Sequence, residues 1–184
     1  MTIVVTAFEP FGGAEINMSR EAVSRLRGVR QVVLPVSFAR ACAAVREIAA
    51  SRPGAVICVG EAGGRNRISV ERIAVNLMDA RIPDNDGNQP RDEEIVPGGP
   101  AARMSGLPTR KILERLEKAG IPAELSYTAG TYVCNAVFYS LMDEIQRTAP
   151  SVRGGFIHVP ASGMETEEIV KGLEEAVRCL SEDS

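Results

Sequence analysis

Ala55-Val56-Ile57-Cys58-Val59 is an unbroken apolar run, and it ends in Gly60-Glu61-Ala62-Gly63-Gly64. A strand with one wet face alternates apolar and polar residues, so a continuous apolar run reads as a strand covered on both faces. The glycines that follow mark the turn where the strand hands the chain to a loop. On the upstream side, residues 38–51 carry Ala41, Ala44, Val45 and Ile48 at helical spacing. Before them come a strand at 31–36, a short helix capped by Ser19 with Ala22, Val23 and Leu26 inward, and a strand at 3–7. On the downstream side, residues 68–78 have strand composition and residues 109–119 form a helix with Ile112, Leu113 and Leu116 inward. Gly120 and Pro122 stop that helix. A strand at 124–127, a strongly amphipathic helix at 133–148 and a strand at 155–159 follow. Ser162-Gly163-Met164-Glu165 reads as a capping box that opens the last helix, with Ile169, Val170, Leu173, Val177 and Leu180 inward. Strands that alternate with helices, and are apolar throughout, predict an α/β fold with a largely parallel central sheet and helices on both faces. The stretch 79–106 stands apart, with Pro83, Pro90, Pro97 and Pro100, and reads as a long irregular excursion of the kind that is functional or disordered.

At 184 residues, 45% hydrophobic and 24% charged, the chain fits one soluble domain, residues 1–184, with one substantial core. Net charge is −3 and no basic run occurs, which argues against nucleic acid as a partner. No stretch approaches the roughly 18 apolar residues of a membrane span, and the amino-terminal residues lack a signal-peptide pattern. Cys42, Cys58, Cys134 and Cys179 form no CxxC pair, as expected of free thiols in a reducing, cytoplasmic compartment. Asn17-Met18-Ser19 matches the glycosylation pattern by chance on this reading.

His158 is the single histidine, so any imidazole chemistry uses it, and a multi-histidine metal site is excluded. It stands at the end of a predicted strand, where a structural role is the alternative to a catalytic one. Cys134 lies where a turn reaches the start of a strong helix, where unpaired amides and the macrodipole favour a thiolate and can hold an oxyanion. The alternative is a buried structural cysteine. A base beside a thiol is the arrangement nucleophilic catalysis requires, and the two residues sit at strand ends of one sheet. Among 24 carboxylates, Glu71 draws notice because it interrupts a strand-like run. Phe8 and Phe11 flank a turn and either wall an apolar pocket or cover the sheet edge.

In order along the chain, Phe8-Glu9-Pro10-Phe11-Gly12-Gly13, Cys58-Val59-Gly60 with Ala62-Gly63-Gly64, Glu71-Arg72, and Asp79 to Asn85 make up a series of blocks. Gly98 to Ala102, Tyr127 to Asn135 and Gly154 to Pro160 complete it. Together these blocks resemble the pyrrolidone carboxyl peptidases, also called the pyroglutamyl peptidase type I family, over about residues 4–160. The resemblance implies a three-layer α/β/α sandwich around a twisted, mostly parallel mixed sheet, and a homotetramer in the cytoplasm. It implies a triad that falls on Cys134, His158 and Glu71, with Arg81 near the oxyanion site. It also implies a pyroglutamate pocket with Phe8 and Phe11, and places Ile82, Tyr132 and Val133 in wall segments. Two departures stand out. The family usually has proline where this chain has Met18, and many members have glutamine where Glu61 stands. A carboxylate at 61 can accept the lactam N–H, and it disfavours a nearby thiolate.

The expected reaction is attack of Cys134 on the carbonyl that joins an amino-terminal pyroglutamyl residue to the rest of a peptide. A thioester forms, and neither metal nor organic cofactor is needed. Two other readings remain. One is a phosphorylase-like enzyme on the same scaffold, with Gly60–Gly64 and Arg65 taking phosphate. The other is a catalytically silent protein that binds pyroglutamyl ligands.

Overall fold

The run at 55–59 lies in the middle of the sheet. In a computed structural model that describes residues 1–182, it forms most of strand β3 (Ala55–Ala62). Strand β1 (Ile3–Phe8) lies parallel to β3 on one side, and strand β8 (Arg153–Pro160) lies parallel to it on the other. Outside β1 is β2 (Arg30–Leu34), also parallel. Beyond β8 come β4 (Ile68–Glu71), antiparallel to β8, and β7 (Ala123–Ser126), parallel to β4. The order is β2-β1-β3-β8-β4-β7, a mixed sheet of six strands that is mostly parallel.

Alternation along the strands sorts the core into two layers. Val56 and Cys58 share a face with Val4, Phe8 and Phe156, and α2 (Phe38–Ala50) and α4 (Val133–Thr148) cover it. Ile57 and Val59 share the opposite face with Val5, Ile157 and Val159, under α1 (Met18–Ser24), α3 (Thr109–Lys118) and α5 (Thr166–Glu182). Burial of both faces is the physical reason the central strands carry no polar alternation. The result is the expected three-layer α/β/α arrangement.

Several local expectations give way to tertiary structure. Asn17, not Ser19, caps α1: its side chain accepts the Ser19 N–H at 3.0 Å. Ser19 lies inside the helix and accepts the Phe8 N–H at 3.1 Å. Helix α5 starts at Thr166, past the Ser162 capping box. The 68–78 run breaks at Arg72: its second half is β5 (Ile73–Val75), which pairs antiparallel with β6 (Ala102–Met104) in a separate ribbon. The proline-rich excursion is pinned rather than loose. The Asp84 carboxylate accepts the N–H groups of Phe38, Asp86 and Asn88, and Asn76 exchanges hydrogen bonds with Val96.

Candidate active site

Strands β1, β3 and β8 run the same way and end on one edge of the sheet, where ligand sites of open α/β folds form. A cavity of about 290 Å³ opens at that edge. Phe8, Phe11, Tyr132 and Val133 give it apolar walls, and Glu61, Arg65 and Arg81 give it charge. Both Cys134 and His158 face into it.

The sulfur owes its position to a missing side chain. Gly60 on β3 is the register neighbour of His158 on β8. A Cβ at residue 60 would lie 2.8 Å from Cys134 Sγ and 2.8 Å from Phe156 Cζ. Glycine therefore lets the thiol settle over the strand, beside the position that carries the imidazole. Cys134 is the second residue of α4, whose cap residue Tyr132 makes no side-chain bond to the helix. The Tyr132 hydroxyl donates instead to the Pro83 carbonyl at 3.0 Å, so no cap side chain takes up a first-turn amide. Asn135 anchors this end of α4. Its side chain accepts from Val75 N–H at 3.0 Å and donates to the carbonyls of Val75 and Leu77 at 2.9 and 3.0 Å.

His158 and Glu71 meet through the one antiparallel joint of the main sheet. Ser69 lies opposite His158, so Glu71 is the diagonal neighbour on the same face, within reach of a long side chain. Glu71 Oε1 lies 2.8 Å from His158 Nδ1, and Glu71 is fully buried. With Nδ1 engaged, Nε2 is the nitrogen left for a reacting group. The imidazole packs on Phe156 with ring centroids 4.7 Å apart.

Burial raises the Cys134 thiol to about 12, with the nearby Glu71 and Cys58 acting in the same direction and Arg65 against it. This reverses the expectation of a lowered thiol, because removal from water outweighs the charges that favour a thiolate. Burial likewise holds His158 below the ordinary histidine value, against the pull of Glu71. Burial thus disfavours the charged form of both groups.

The two departures at Met18 and Glu61 meet in space. Met18 has the backbone N–H that proline lacks, and it donates to Glu61 Oε2 at 2.6 Å. One carboxylate oxygen of Glu61 is thus tied to the start of α1. Phe8 and Phe11 are held by Glu9, whose carboxylate accepts from Val36 N–H at 3.1 Å and Asn85 Nδ2 at 2.9 Å. Phe11 and Phe38 both pack on the Tyr132 ring. Arg81 lines the cavity, whereas the next residue does not: Ile82 is 45% exposed and lies outside the lining. The expected place of Ile82 in the wall is corrected accordingly. The chain bends at that point, and the Tyr132 ring closes the wall instead.

Arg65 joins the site without having been singled out for this chemistry. Its guanidinium donates to Glu71 Oε1 at 2.7 Å and to the Thr128 carbonyl at 2.9 Å. That use leaves it poorly placed as a phosphate ligand. The only signal in the sequence is its place after Gly63-Gly64, six residues before Glu71. Among the described residues no group of three or more histidine, cysteine and acidic side chains is placed to hold a metal ion. Among the described residues no helix is long and apolar enough to cross a membrane.

A family profile described as pyroglutamyl peptidase matches residues 1–181. The pyrrolidone-carboxylate peptidase of Bacillus amyloliquefaciens is 53% identical over 166 residues, 86% of this chain and 77% of that protein. The pyrrolidone-carboxylate peptidase of Thermococcus kodakarensis is 44% identical over all of this chain and 97% of its own length. The crystal structure of pyroglutamyl peptidase I from B. amyloliquefaciens superposes with a TM-score of 0.94 at 45% identity, covering 98% of this chain and 94% of the other.

Proposed function

The chain belongs to the pyroglutamyl peptidase family, and from that footing we propose that it hydrolyses the amide bond after an amino-terminal pyroglutamyl residue. In this reading Cys134 is the nucleophile, His158 the base and Glu71 the residue that orients the imidazole. The observation that carries it is the 2.8 Å contact of buried Glu71 with His158 Nδ1, behind a cavity that His158 shares with Cys134.

Burial disfavours the charged form of both thiol and imidazole, so in this reading the proton moves as the bond forms. His158 Nε2 takes the Cys134 proton while Sγ attacks the pyroglutamyl carbonyl carbon. The negative charge that develops on the carbonyl oxygen is held by the first-turn amides of α4, with the Arg81 guanidinium at the same cavity. The imidazolium, stabilised by Glu71, then gives its proton to the leaving amine as the C–N bond breaks. Water, deprotonated by His158, attacks the thioester and frees pyroglutamate and the thiol.

A pyroglutamyl end has no ammonium group, so its recognition needs apolar walls and few polar partners. Phe8, Phe11 and Tyr132 supply the walls, and Glu61 brings an acceptor for the lactam N–H. The alternatives fit less well. Arg65, the cation expected to take phosphate, is engaged by Glu71 and Thr128, and a silent binding protein leaves the Glu71–His158 pair without a purpose. Cys42 and Cys58 are buried and in no disulfide, which supports a reducing, cytoplasmic setting, and the family resemblance supports a homotetramer.

The test is release of the fluorophore from a pyroglutamyl amide, with Cys134→Ala beside the native chain. The native chain is expected to turn over, and the variant is expected to lose activity while keeping its fold. Turnover by a pure Cys134→Ala preparation would remove the nucleophile from the account.

A further inference from the structure

Glu71 sits wholly inside the protein, where a carboxylate needs partners to be tolerated. Its Oε2 makes no hydrogen bond among the described residues. Oε1 carries the whole load, facing His158 Nδ1 at 2.8 Å and accepting from Arg65 Nη1 at 2.7 Å. The same guanidinium reaches sideways, where Nη2 donates to the Thr128 carbonyl at 2.9 Å. Thr128 directly precedes Ala129 and Gly130, which line the cavity, and the loop they form leads into α4 and Cys134. The turn is stiff at this point. The Thr128 hydroxyl accepts the Gly130 N–H at 3.2 Å, and Gly130 has a φ of 78°, which suits glycine.

We propose that Arg65 is a positioning residue for the reaction: it fixes Glu71 Oε1 on the imidazole and ties the loop after β3 to the loop that delivers Cys134. The proposal rests on the reading of Cys134 and His158 as nucleophile and base, and it assigns Arg65 no contact with the reacting atoms. A planar fork can hold both partners at once, which the single ammonium of lysine cannot do in the same geometry. Side-chain placement supports the role. Arg65 is only 23% exposed at its side chain, and it approaches Glu71 from the loop side while His158 approaches from β8. The titratable and charged groups that bond the imidazole or share its cavity are Glu71 from β4, Arg65 from the β3–β4 loop, Cys134 from α4, Tyr132 at its cap, Glu61 from β3 and Arg81 from the 79–106 segment. Glu71 favours a protonated ring, whereas Arg65 opposes it.

The single histidine makes the test direct, because one set of imidazole signals in an NMR titration reports His158 without assignment. In Arg65→Met the titration midpoint is expected to rise by about one pH unit, as the carboxylate loses its competing cation. With a pyroglutamyl amide, kcat is expected to fall about 10- to 100-fold while KM changes less than about threefold. Arg65→Lys keeps the charge and loses the fork, so its midpoint stays near the native one while kcat falls partway. An unchanged midpoint in Arg65→Met, or a native kcat with a raised KM, overturns the proposal. If Arg65→Met does not fold, Arg65→Gln takes its place with the same two expectations. If the native chain proves inactive on pyroglutamyl amides, the functional reading fails while the NMR midpoints still decide the role of Arg65.

Discussion

His158 is held below its ordinary value by burial, and Cys134 is raised to about 12. The catalytically ready imidazole is the neutral one, so activity is expected to persist into mildly acidic solution. The acid limb of kcat/KM should then fall below the usual histidine value of about 6.5. A limb well above 6.5 would mean that Glu71 dominates and the resting pair is ionic. Stability follows the same linkage. The unfolded chain binds a proton at His158 near pH 6.5 while the folded chain does not, so stability is full above that value and falls as pH drops toward the folded value. His158→Gln should remove this part of the pH dependence, as measured by denaturant unfolding at pH 7.5 and 5.5. Glu71→Gln keeps the shape but not the charge, and kcat should fall about 10²- to 10⁴-fold. Near-native kcat in that variant would take Glu71 out of the mechanism. Glu61 is tied by Met18 N–H and also pushes the Cys134 thiol up. Glu61→Gln should therefore ease thiolate formation, and the alkylation rate of Cys134 at fixed pH should rise.

At the scale of elements, the site depends on how α4 seats on β3 and β5. Gly60→Ala places a methyl group against Cys134 Sγ and the Phe156 ring. Overpacking of this kind costs about 1–3 kcal/mol, and a misplaced nucleophile about 10²-fold in kcat. Thermal unfolding and kinetics on one preparation measure both. Asn135→Ala removes three buried hydrogen bonds between α4 and the β5 segment. It should lower stability by about 2–3 kcal/mol, read as the denaturation midpoint, and an unchanged midpoint would argue against this anchor. The sequence shows α4 plainly, because its apolar face recurs at helical spacing. It does not show β6, since Ala102-Arg103-Met104 becomes a strand only by pairing with distant β5. Nor does it show the cap of α1, because Asn17 and Ser19 are both good capping types and tertiary contacts decide between them.

Across the whole molecule, burial explains what is legible. The doubly covered strands β1, β3 and β8 are written as apolar runs, so the α/β architecture and the edge that collects Phe8, Gly60 and His158 can be read from the chain. The antiparallel turn of β4 leaves no such mark, yet it is the joint that brings Glu71 to His158. By pattern alone Glu71 shows only as a charge out of place in a strand, its triad role coming from the family resemblance, and the role of Arg65 is hidden because a loop residue shows neither periodicity nor partner. The excursion at 79–106 contributes Arg81 to the cavity and a carbonyl at Pro83 that fixes Tyr132. Its backbone is held by side-chain bonds from Asp84 and Asn76, by backbone bonds such as Ala80 N–H to the Pro90 carbonyl, and by the pairing of β6 with β5. The central claim is that this assembled edge cleaves pyroglutamyl amides through Cys134. The measurement that meets it most directly is hydrolysis of a fluorogenic pyroglutamyl amide under reducing conditions, beside the prolyl analogue and Cys134→Ala. The account predicts release from the pyroglutamyl compound alone and none from the variant; equal release from the prolyl analogue, or no release from folded native protein, would contradict it.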